Sequence, residues 1–238
     1  MRAWLCLAFG AVAEVAALQA GQVLPAGQAL TRALSTARPL IVHVADDCPA
    51  ELNALDVDDM SRGCRMAGAS ALLVQPELLA AVAKEQATAA GDFPGPLPLL
   101  YECDLAAASE FDFESVRQLG ACAVGMRCEA SSAATGSLDI LLREAVAGAE
   151  AAGLGALVLA GDAAAYAAAV NAGVGMVVIS GAVGEEGAAE EGAAEGASTL
   201  EVGLWDGDDG QLQRLRAAGF AALLLDDPCR GDVAGGLR

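Results

Sequence analysis

Five segments of the chain share one pattern, in which a helix-like stretch ends on glycine and continues directly into apolar residues. The glycine takes the left-handed conformation that closes a helix, and the apolar run is typical of a strand buried on both faces. Strands of this kind, alternating with helices, predict βα units and a parallel sheet. The segments are MAGASALLV (66–74), QLGACAVGM (118–126), AAGLGALVL (151–159), NAGVGMVVI (171–179) and AAGFAALLL (217–225).

Three further apolar strands bring the predicted number to eight. They read LIVHVA (40–45), PLLYE (98–102) and STLEV (198–202). Eight strands with interleaved helices predict an α/β fold, a single-domain (β/α)8 TIM barrel, with a doubly wound open sheet as the alternative. The helical patterns lie at about 53–67, 76–90, 111–119, 139–152, 162–172 and 208–218.

Two helices of this predicted barrel are weak. Segment 184–196, GEEGAAEEGAAEG, carries four glycines in thirteen residues. Each glycine costs about 1 kcal/mol in a helix interior, so a short or frayed helix is expected there. The final segment, DPCRGDVAGGLR (227–238), leaves little helical pattern, and the last helix is expected to be short or missing.

The first 37 residues are predicted to be an N-terminal extension ahead of a barrel domain at 38–238. Its apolar run AWLCLAFGAVA (3–13) resembles the core of a signal peptide. Between Glu14 and Asp46 no acidic residue occurs, whereas arginine, serine and threonine do, as in a transit peptide. These features predict a presequence to a plastid. The alternative is a helix packed under the barrel of a cytoplasmic protein.

The composition favours a packed domain and excludes two classes of partner. Apolar residues make up 55% of the chain and the mean hydropathy is +0.46, so the chain is not disordered by composition. The formal net charge is −19, because 32 acidic residues oppose 13 basic ones. A surface of this sign repels nucleic acid and anionic lipid, and neither is an expected partner.

Cofactor and metal motifs are missing from the sequence. Seven cysteines, an odd number without a C-x-x-C pair, form neither a zinc ribbon nor a disulfide framework and are predicted to be reduced, mostly buried thiols. The glycine-containing turns match neither a Walker A loop nor a G-x-G-x-x-G cradle. We therefore assign no cofactor and no metal site.

Acidic residues follow seven of the eight predicted strands, at the end where TIM barrels carry their active sites. In the stretch PLPLLYECD, Glu102 and Asp104 end a buried strand with no turn residue before them. Helix N-capping explains Asp162, Asp208 and Asp209, which directly precede helical patterns. It does not explain Glu102, because the next helix begins several residues later. A divalent cation held by rim carboxylates is the alternative interpretation.

The chain has a single histidine, His43, in the first predicted strand. A lone histidine in a barrel is more often a hydrogen-bonded core residue than a catalytic base. We keep it as a catalytic candidate because no other role accounts for it.

The order of the segments resembles indole-3-glycerol phosphate synthase, the (β/α)8 lyase of tryptophan biosynthesis. The resemblance covers about residues 38–228 and is clearest over 96–181. It rests on RPLIVHVADDCPA, GASALLV, LPLLYECD, GACAVGMR, GLGALVLAGD, AGVGMVVISG, LEVGL and AAGFAALLLDDP. It implies a barrel whose family closes an indole ring with loss of carbon dioxide and water, using a phosphorylated substrate.

The reacting residues of that family are mostly replaced here. The third-strand lysine acid is matched by Glu102, and the fifth-strand glutamate base by Leu159. In the first strand the two charged positions are His43 and Ala45, and the serine that precedes a proline is Cys48.

The resemblance also assigns positions in the last three strands. Ser180 stands at the first asparagine of the sixth-strand Asn-Asn-Arg, and Asp226 at the glycine of the eighth-strand phosphate cradle. Glu201 and Gly203 retain two positions of the seventh-strand Glu-Ser-Gly. The catalytic candidates implied are Glu102, Glu201 and His43, and the substrate-binding candidates are Cys48, Ser180, Gly203 and Asp226.

The replacement of lysine by Glu102 reverses a charge beside an anionic substrate. Two charges at about 4 Å interact with on the order of 4 kcal/mol near a surface, and reversing one sign turns that attraction into repulsion. Losing the acid and the base lowers the rate by several orders of magnitude. We therefore expect an acidic pseudoenzyme that is a structural or assembly subunit with a protein partner. The alternatives are an active synthase that binds a phosphorylated substrate and another cation-assisted lyase or isomerase.

Overall fold

Eight parallel strands form a closed barrel in the order β1 to β8, and β8 is hydrogen-bonded to β1. This architecture is seen in a computed structural model and confirms the predicted (β/α)8 TIM barrel over an open sheet. The segments expected to hold weak helices, 184–196 and 227–238, lie outside the described residues. The structure describes residues 26–36, 39–45, 57–128, 135–179, 199–220 and 222–226.

The strands coincide with the eight apolar runs of the sequence. Most of their residues are buried, as expected for a parallel sheet that is covered on both faces. The strands are β1 Leu40–Val44, β2 Ala71–Val74, β3 Leu99–Asp104, β4 Ala123–Cys128, β5 Gly155–Ala160, β6 Met176–Ile179, β7 Leu200–Trp205 and β8 Ala222–Leu225.

Each of the six predicted helical patterns from 53–67 to 208–218 overlaps an observed helix. A 3-10 helix, Leu105–Glu110, follows β3 and was not predicted. None of the described helices is long and apolar enough to cross a membrane. The α-helices of the described residues are α1 Ala26–Leu34, α2 Val57–Ala67, α3 Leu79–Thr88, α4 Phe113–Gln118, α5 Thr135–Ala151, α6 Ala163–Asn171 and α7 Asp209–Ala217.

Two apolar clusters separate the inside of the barrel from its outside. Successive side chains of a strand point to opposite faces, so every second residue faces the barrel axis. The inner cluster takes members from all eight strands, among them Ile41, Leu100 and Leu224. The outer cluster, with Val42 and Val124, lies between the strands and the helices.

Helix α1 closes the end of the barrel where the strands begin. Its Leu30 and Leu34 are 0% and 7% exposed and belong to the inner cluster. This helix lies within the stretch 1–37 that was assigned to the extension, and it agrees with the alternative of a helix packed under the barrel. Residues 1–25, which carry the presequence prediction, lie outside the described residues.

Two carboxylates cap helices as predicted. The side chain of Asp162 accepts a hydrogen bond from Ala165 N at 2.8 Å at the start of α6. At the start of α7, Asp208 accepts one from Gln211 N at 2.7 Å. The presence of these two carboxylates at the rim is therefore explained by helix capping, because each accepts a hydrogen bond from a backbone N–H group that has no partner within the helix.

Candidate functional site

Four charged side chains that hydrogen bonds connect to one another face the inside of the barrel at the end where the strands finish. They keep the inward phase of their strands, as His43 does by following the inward-facing Ile41 at a spacing of two residues. This is the end at which TIM barrels hold their active sites. The four, which we call the mouth cluster, are His43 in β1, Glu102 in β3, Arg127 in β4 and Asp226 directly after β8.

His43 forms the centre of the mouth cluster. It is 4% exposed, and both of its ring nitrogens have hydrogen-bond partners. Nε2 lies 2.7 Å from Glu102 Oε2, and Nδ1 lies 3.2 Å from both Oδ1 and the main-chain oxygen of Asp226. The imidazole therefore connects β1 to β3 on one side and to the end of β8 on the other.

Glu102 accepts hydrogen bonds at both carboxylate oxygens. His43 binds Oε2, and Arg127 Nε donates to Oε1. Glu102 is only 5% exposed, whereas the side chains of Arg127 and Asp226 are 48% and 50% exposed. The buried pair thus holds two half-exposed charged groups of opposite sign at the opening of the barrel.

The protonation states of the mouth cluster follow from these contacts. Burial by itself would lower the pKa of His43, but the hydrogen bonds and charges of Asp226 and Glu102 outweigh it and raise that pKa to about 9. Burial acts to raise the pKa of Glu102, yet His43 and Arg127 bring it below its ordinary value. The hydrogen bond from His43 also lowers the pKa of Asp226. At pH 7 the cluster holds two cations and two anions.

Arg127 lines two cavities. The smaller, of about 100 Å³, is lined by Arg127, Cys128, Leu159, Ala160, Gly161, Val178, Leu204 and Asp226. The larger, of about 350 Å³, is lined by Gln75, Pro76, Glu77, Glu102, Cys103, Asp104, Ala107, Phe111 and Arg127. Arg127 is therefore shared by both, and the mouth offers room for a small molecule beside a fixed guanidinium group.

Three of the predicted site residues come together in the mouth cluster. His43, Glu102 and Asp226 are connected to one another by the hydrogen bonds of the imidazole. Two other candidates, Cys48 and Ser180, lie outside the described residues.

Glu201 and Gly203 lie on the outer face of β7. The hydroxyl of Tyr166 in α6 donates a hydrogen bond to Glu201 Oε1 at 2.6 Å. A Cβ atom built on Gly203 would come 3.0 Å from Leu215 of α7. Val202, between them, belongs to the inner cluster, so the alternation of the strand turns its two neighbours outward. This corrects the expectation that Glu201 and Gly203 join the other candidate residues.

Arg127 was not among the residues predicted from the sequence. It lies near the end of the apolar run AVGMRC of β4, in the same way as Glu102 lies near the end of β3. A charged residue near the end of an otherwise apolar strand was the available signal, and it applied to both residues.

Three cysteines, Cys103, Cys122 and Cys128, are poor nucleophiles. Cys64, Cys103, Cys122 and Cys128 are free cysteines in the structure. Burial raises the pKa of Cys103 to about 12 and that of Cys128 to about 11. A thiol of this kind is protonated at pH 7 and carries little thiolate.

The rim carboxylates do not gather into a metal site in the described part of the chain. Within those ranges, no group of three or more His, Cys, Asp and Glu side chains is placed to hold a metal ion. The carboxylates of the mouth cluster are paired with His43 and Arg127 instead.

Comparison with known proteins identifies the fold. No protein-family model matches the chain, and no curated protein sequence matches it. Solved TIM-barrel enzymes do match its structure. A Schiff base-forming fructose-1,6-bisphosphate aldolase superposes with a TM-score of 0.58 and 14% identity over 90% of this chain and 97% of that chain.

Two further neighbours have similar scores. Triosephosphate isomerase from Bartonella henselae has a TM-score of 0.55 and 13% identity over 84% of this chain and 98% of its own. A 2,3-dimethylmalate lyase of the PEP mutase/isocitrate lyase superfamily has a TM-score of 0.53 and 14% identity, covering 85% and 81%. At these identities the likeness establishes the TIM-barrel fold alone.

Proposed function

We propose that this protein is an indole-3-glycerol phosphate synthase-like barrel that does not catalyse the lyase reaction and acts as a structural or assembly subunit. The observation that carries the proposal is the position of Glu102. The resemblance assigns this position to the lysine acid, and the carboxylate lies inside the mouth, 5% exposed and bonded to two cations.

The mouth cluster offers no free proton donor at neutral pH. Glu102 is ionised because hydrogen bonds from His43 and Arg127 lower its pKa, so it has no proton to give to a carbonyl group. His43 is protonated, but its two N–H groups already donate to Glu102 and Asp226. General acid catalysis requires a donor within hydrogen-bond reach of the substrate, and these donors are occupied.

The described residues of the mouth also provide no strong general base. Leu159, at the position of the family's glutamate base, lines the smaller cavity with an apolar side chain. Asp226 lines the same cavity and is ionised, but its lowered pKa makes it a weak base near pH 7.

Schiff-base chemistry, which is named for the aldolase neighbour, also finds no support. The chain has a single lysine, Lys84, and this residue is exposed on helix α3. No lysine therefore reaches the mouth, where a carbonyl substrate would have to form the imine.

The test is turnover of the family's substrate, carboxyphenylamino-deoxyribulose phosphate. The full chain is incubated with it, with and without magnesium, and indole-glycerol phosphate is followed by fluorescence. We expect no product above the enzyme-free blank. Turnover that is lost in Glu102→Gln and kept in Glu144→Gln, a change of an exposed carboxylate on helix α5 that lines neither cavity, would overturn the proposal.

The assembly role has its own measurement. A subunit of a larger complex should copurify with a protein partner from its source cells at a native mass above that of the isolated chain. A chain that remains alone under native extraction contradicts the assembly role, whatever the result of the substrate assay.

A second candidate function is a lyase or isomerase for a small anionic substrate. It is favoured by Arg127 and Asp226, which are both half-exposed and line one cavity. Such an enzyme would exchange a substrate C–H proton with solvent. Incubation of the full chain with small sugar phosphates and hydroxy acids in D₂O, followed by NMR, tests it. Exchange that disappears in Asp226→Asn would support it, and no exchange with any of these compounds contradicts it.

The plastid location is part of the proposal and rests on the composition of the first 37 residues. N-terminal sequencing of the protein from its source cells tests it, since an intact Met1 excludes a cleaved presequence.

A further inference from the structure

Arg127 is fixed at one nitrogen and open at the other two. Nε donates to Glu102 Oε1, which sets the orientation of the guanidinium plane. Among the described residues, Nη1 and Nη2 have no hydrogen-bond or ion-pair partner, and the side chain is 48% exposed. Two parallel donors on a pre-oriented plane are the arrangement that recognises carboxylate and phosphate groups in a bidentate manner.

The surroundings of Arg127 give these two nitrogens access to the cavities of the mouth. The residue lines both cavities, and it is the sole arginine or lysine among the described residues that line them. Leu159, Val178 and Leu204 give the smaller cavity an apolar wall. Small-molecule sites commonly combine such apolar walls with a few well-placed polar groups.

We propose that Arg127 is the docking residue for the oxyanion of a small ligand, either a carboxylate or a phosphate, bound by Nη1 and Nη2 at the barrel mouth. Asp226, on the wall of the same cavity, accepts a hydrogen bond from a hydroxyl or ammonium group of that ligand. The proposal goes beyond the function proposed above, because it assigns a ligand class and holds for a catalytic and a non-catalytic barrel alike.

Three carboxylates besides Glu102 line the same cavities, those of Glu77, Asp104 and Asp226. The contacts of Glu102 explain how Arg127 can nevertheless bind an anion. Glu102 is shared with His43, so it does not neutralise the guanidinium group alone. Because the Nε contact already restricts the side chain, binding requires little further loss of rotamer freedom. The cavity volumes of about 100 and 350 Å³ restrict the ligand to metabolite size.

The experiment is calorimetric titration of the full chain at pH 7 with two probes, inorganic phosphate and succinate, at near-physiological ionic strength. We expect saturable binding of at least one of them. Arg127→Gln should weaken that binding at least about tenfold, and Arg127→Lys should weaken it to a smaller extent because the charge remains while the paired donors are lost. The matched control is Arg117→Gln, an exposed arginine that pairs with Glu114 on α4, which should bind as the wild type does.

The outcomes are separable. Binding of phosphate alone or succinate alone names the oxyanion, and either result supports the site. No binding of either probe, or unchanged binding in Arg127→Gln, overturns it. Should Arg127→Gln fail to fold, titration of the ¹⁵N-labelled wild type decides, since the Nε and Nη resonances of Arg127 must shift on saturation and unshifted resonances overturn the proposal. The titration involves no substrate turnover, so failure of the site leaves the proposed function standing.

Discussion

His43 Nε2 lies 2.7 Å from Glu102 Oε2, and this contact joins β1 to β3 although β2 lies between them in the sheet. On its other side His43 reaches Asp226, directly after β8. The single histidine of the chain therefore connects strands from both sides of β1. Its positive charge is the element that makes two inward-facing carboxylates acceptable in the same mouth.

Protein stability should depend on the protonation of His43. Its pKa is raised from an ordinary 6.5 to about 9 in the folded state, so the folded protein binds the proton more tightly than the unfolded chain does. The resulting stabilisation is fully present below pH 6.5 and is lost as the pH rises through 9. We expect the free energy of unfolding to fall by about 3 kcal/mol between those two pH values.

Urea denaturation at several pH values across this range measures that loss. The control is His43→Gln, which has no imidazole to titrate and should show a flatter profile. If the wild type and His43→Gln lose stability in parallel over the range, the protonated histidine is not the cause.

Removing the charge of Glu102 should destabilise the barrel. Glu102→Gln keeps the shape of the side chain but leaves the buried His43 with one carboxylate fewer, at a cost of about 3 kcal/mol. The pKa of His43 should fall in the same variant, because one of the groups that raise it has been removed. Thermal unfolding reports the first effect, and NMR titration of the imidazole the second. Asp104→Asn, which changes an exposed carboxylate of the same strand, should stay within about 0.5 kcal/mol.

The fold was predictable because its signals are local and repeated. A glycine that ends a helix, followed by a continuous apolar run, recurs before five strands, and each run is a buried strand of the barrel. Helix starts were readable for the same reason, since Asp162 and Asp208 cap helices through bonds to residues three positions away. The 3-10 helix after β3 had no comparable signal.

The site was only partly predictable, because strands that are apolar on both faces do not show which residues point inward. His43 and Glu102 were predicted because they are polar residues within apolar runs. Arg127 is also a charged residue within an apolar run, but it was not predicted. Glu201 and Gly203 are identical to two residues of the family's seventh-strand motif. They nevertheless lie on the outer face of β7, one residue away from its inward-facing positions. The packing of Val202 in the inner cluster is what shows which residues of β7 face inward.

Two glycine substitutions should change stability in opposite directions. A Cβ atom on Gly125 would lie 2.5 Å from Leu73 Cδ1 inside the barrel, so Gly125→Ala overpacks the layer below the mouth cluster and should cost about 1–3 kcal/mol. Gly63 lies within α2, where an added Cβ atom would meet nothing within 4 Å, and Gly63→Ala should stabilise by about 0.5–1 kcal/mol. Urea denaturation of both variants shows whether each change raises or lowers the free energy of unfolding. Equal effects would show that helix propensity and interior space are not what distinguishes these sites.

Helix α1 should be required for a stable barrel, even though it lies in the stretch predicted to be an extension. Leu30 is fully buried in the inner cluster, so Leu30→Ala leaves a cavity at the bottom of the barrel and should cost about 2–5 kcal/mol. Gln28→Ala, on the exposed side of the same helix, should change stability by no more than about 0.5 kcal/mol. Thermal unfolding of the two variants measures both effects.

Truncation tests the same helix and limits where a presequence could end. A chain that begins at residue 26 keeps α1 whole and is the reference for the shorter chain. A chain that begins at residue 35 should unfold at a lower temperature and bind a hydrophobic dye, because the inner cluster loses Leu30 and Leu34. It follows that a presequence, if cleaved, is removed before residue 26. A fully stable chain from residue 35 would contradict both the packing role of α1 and this limit.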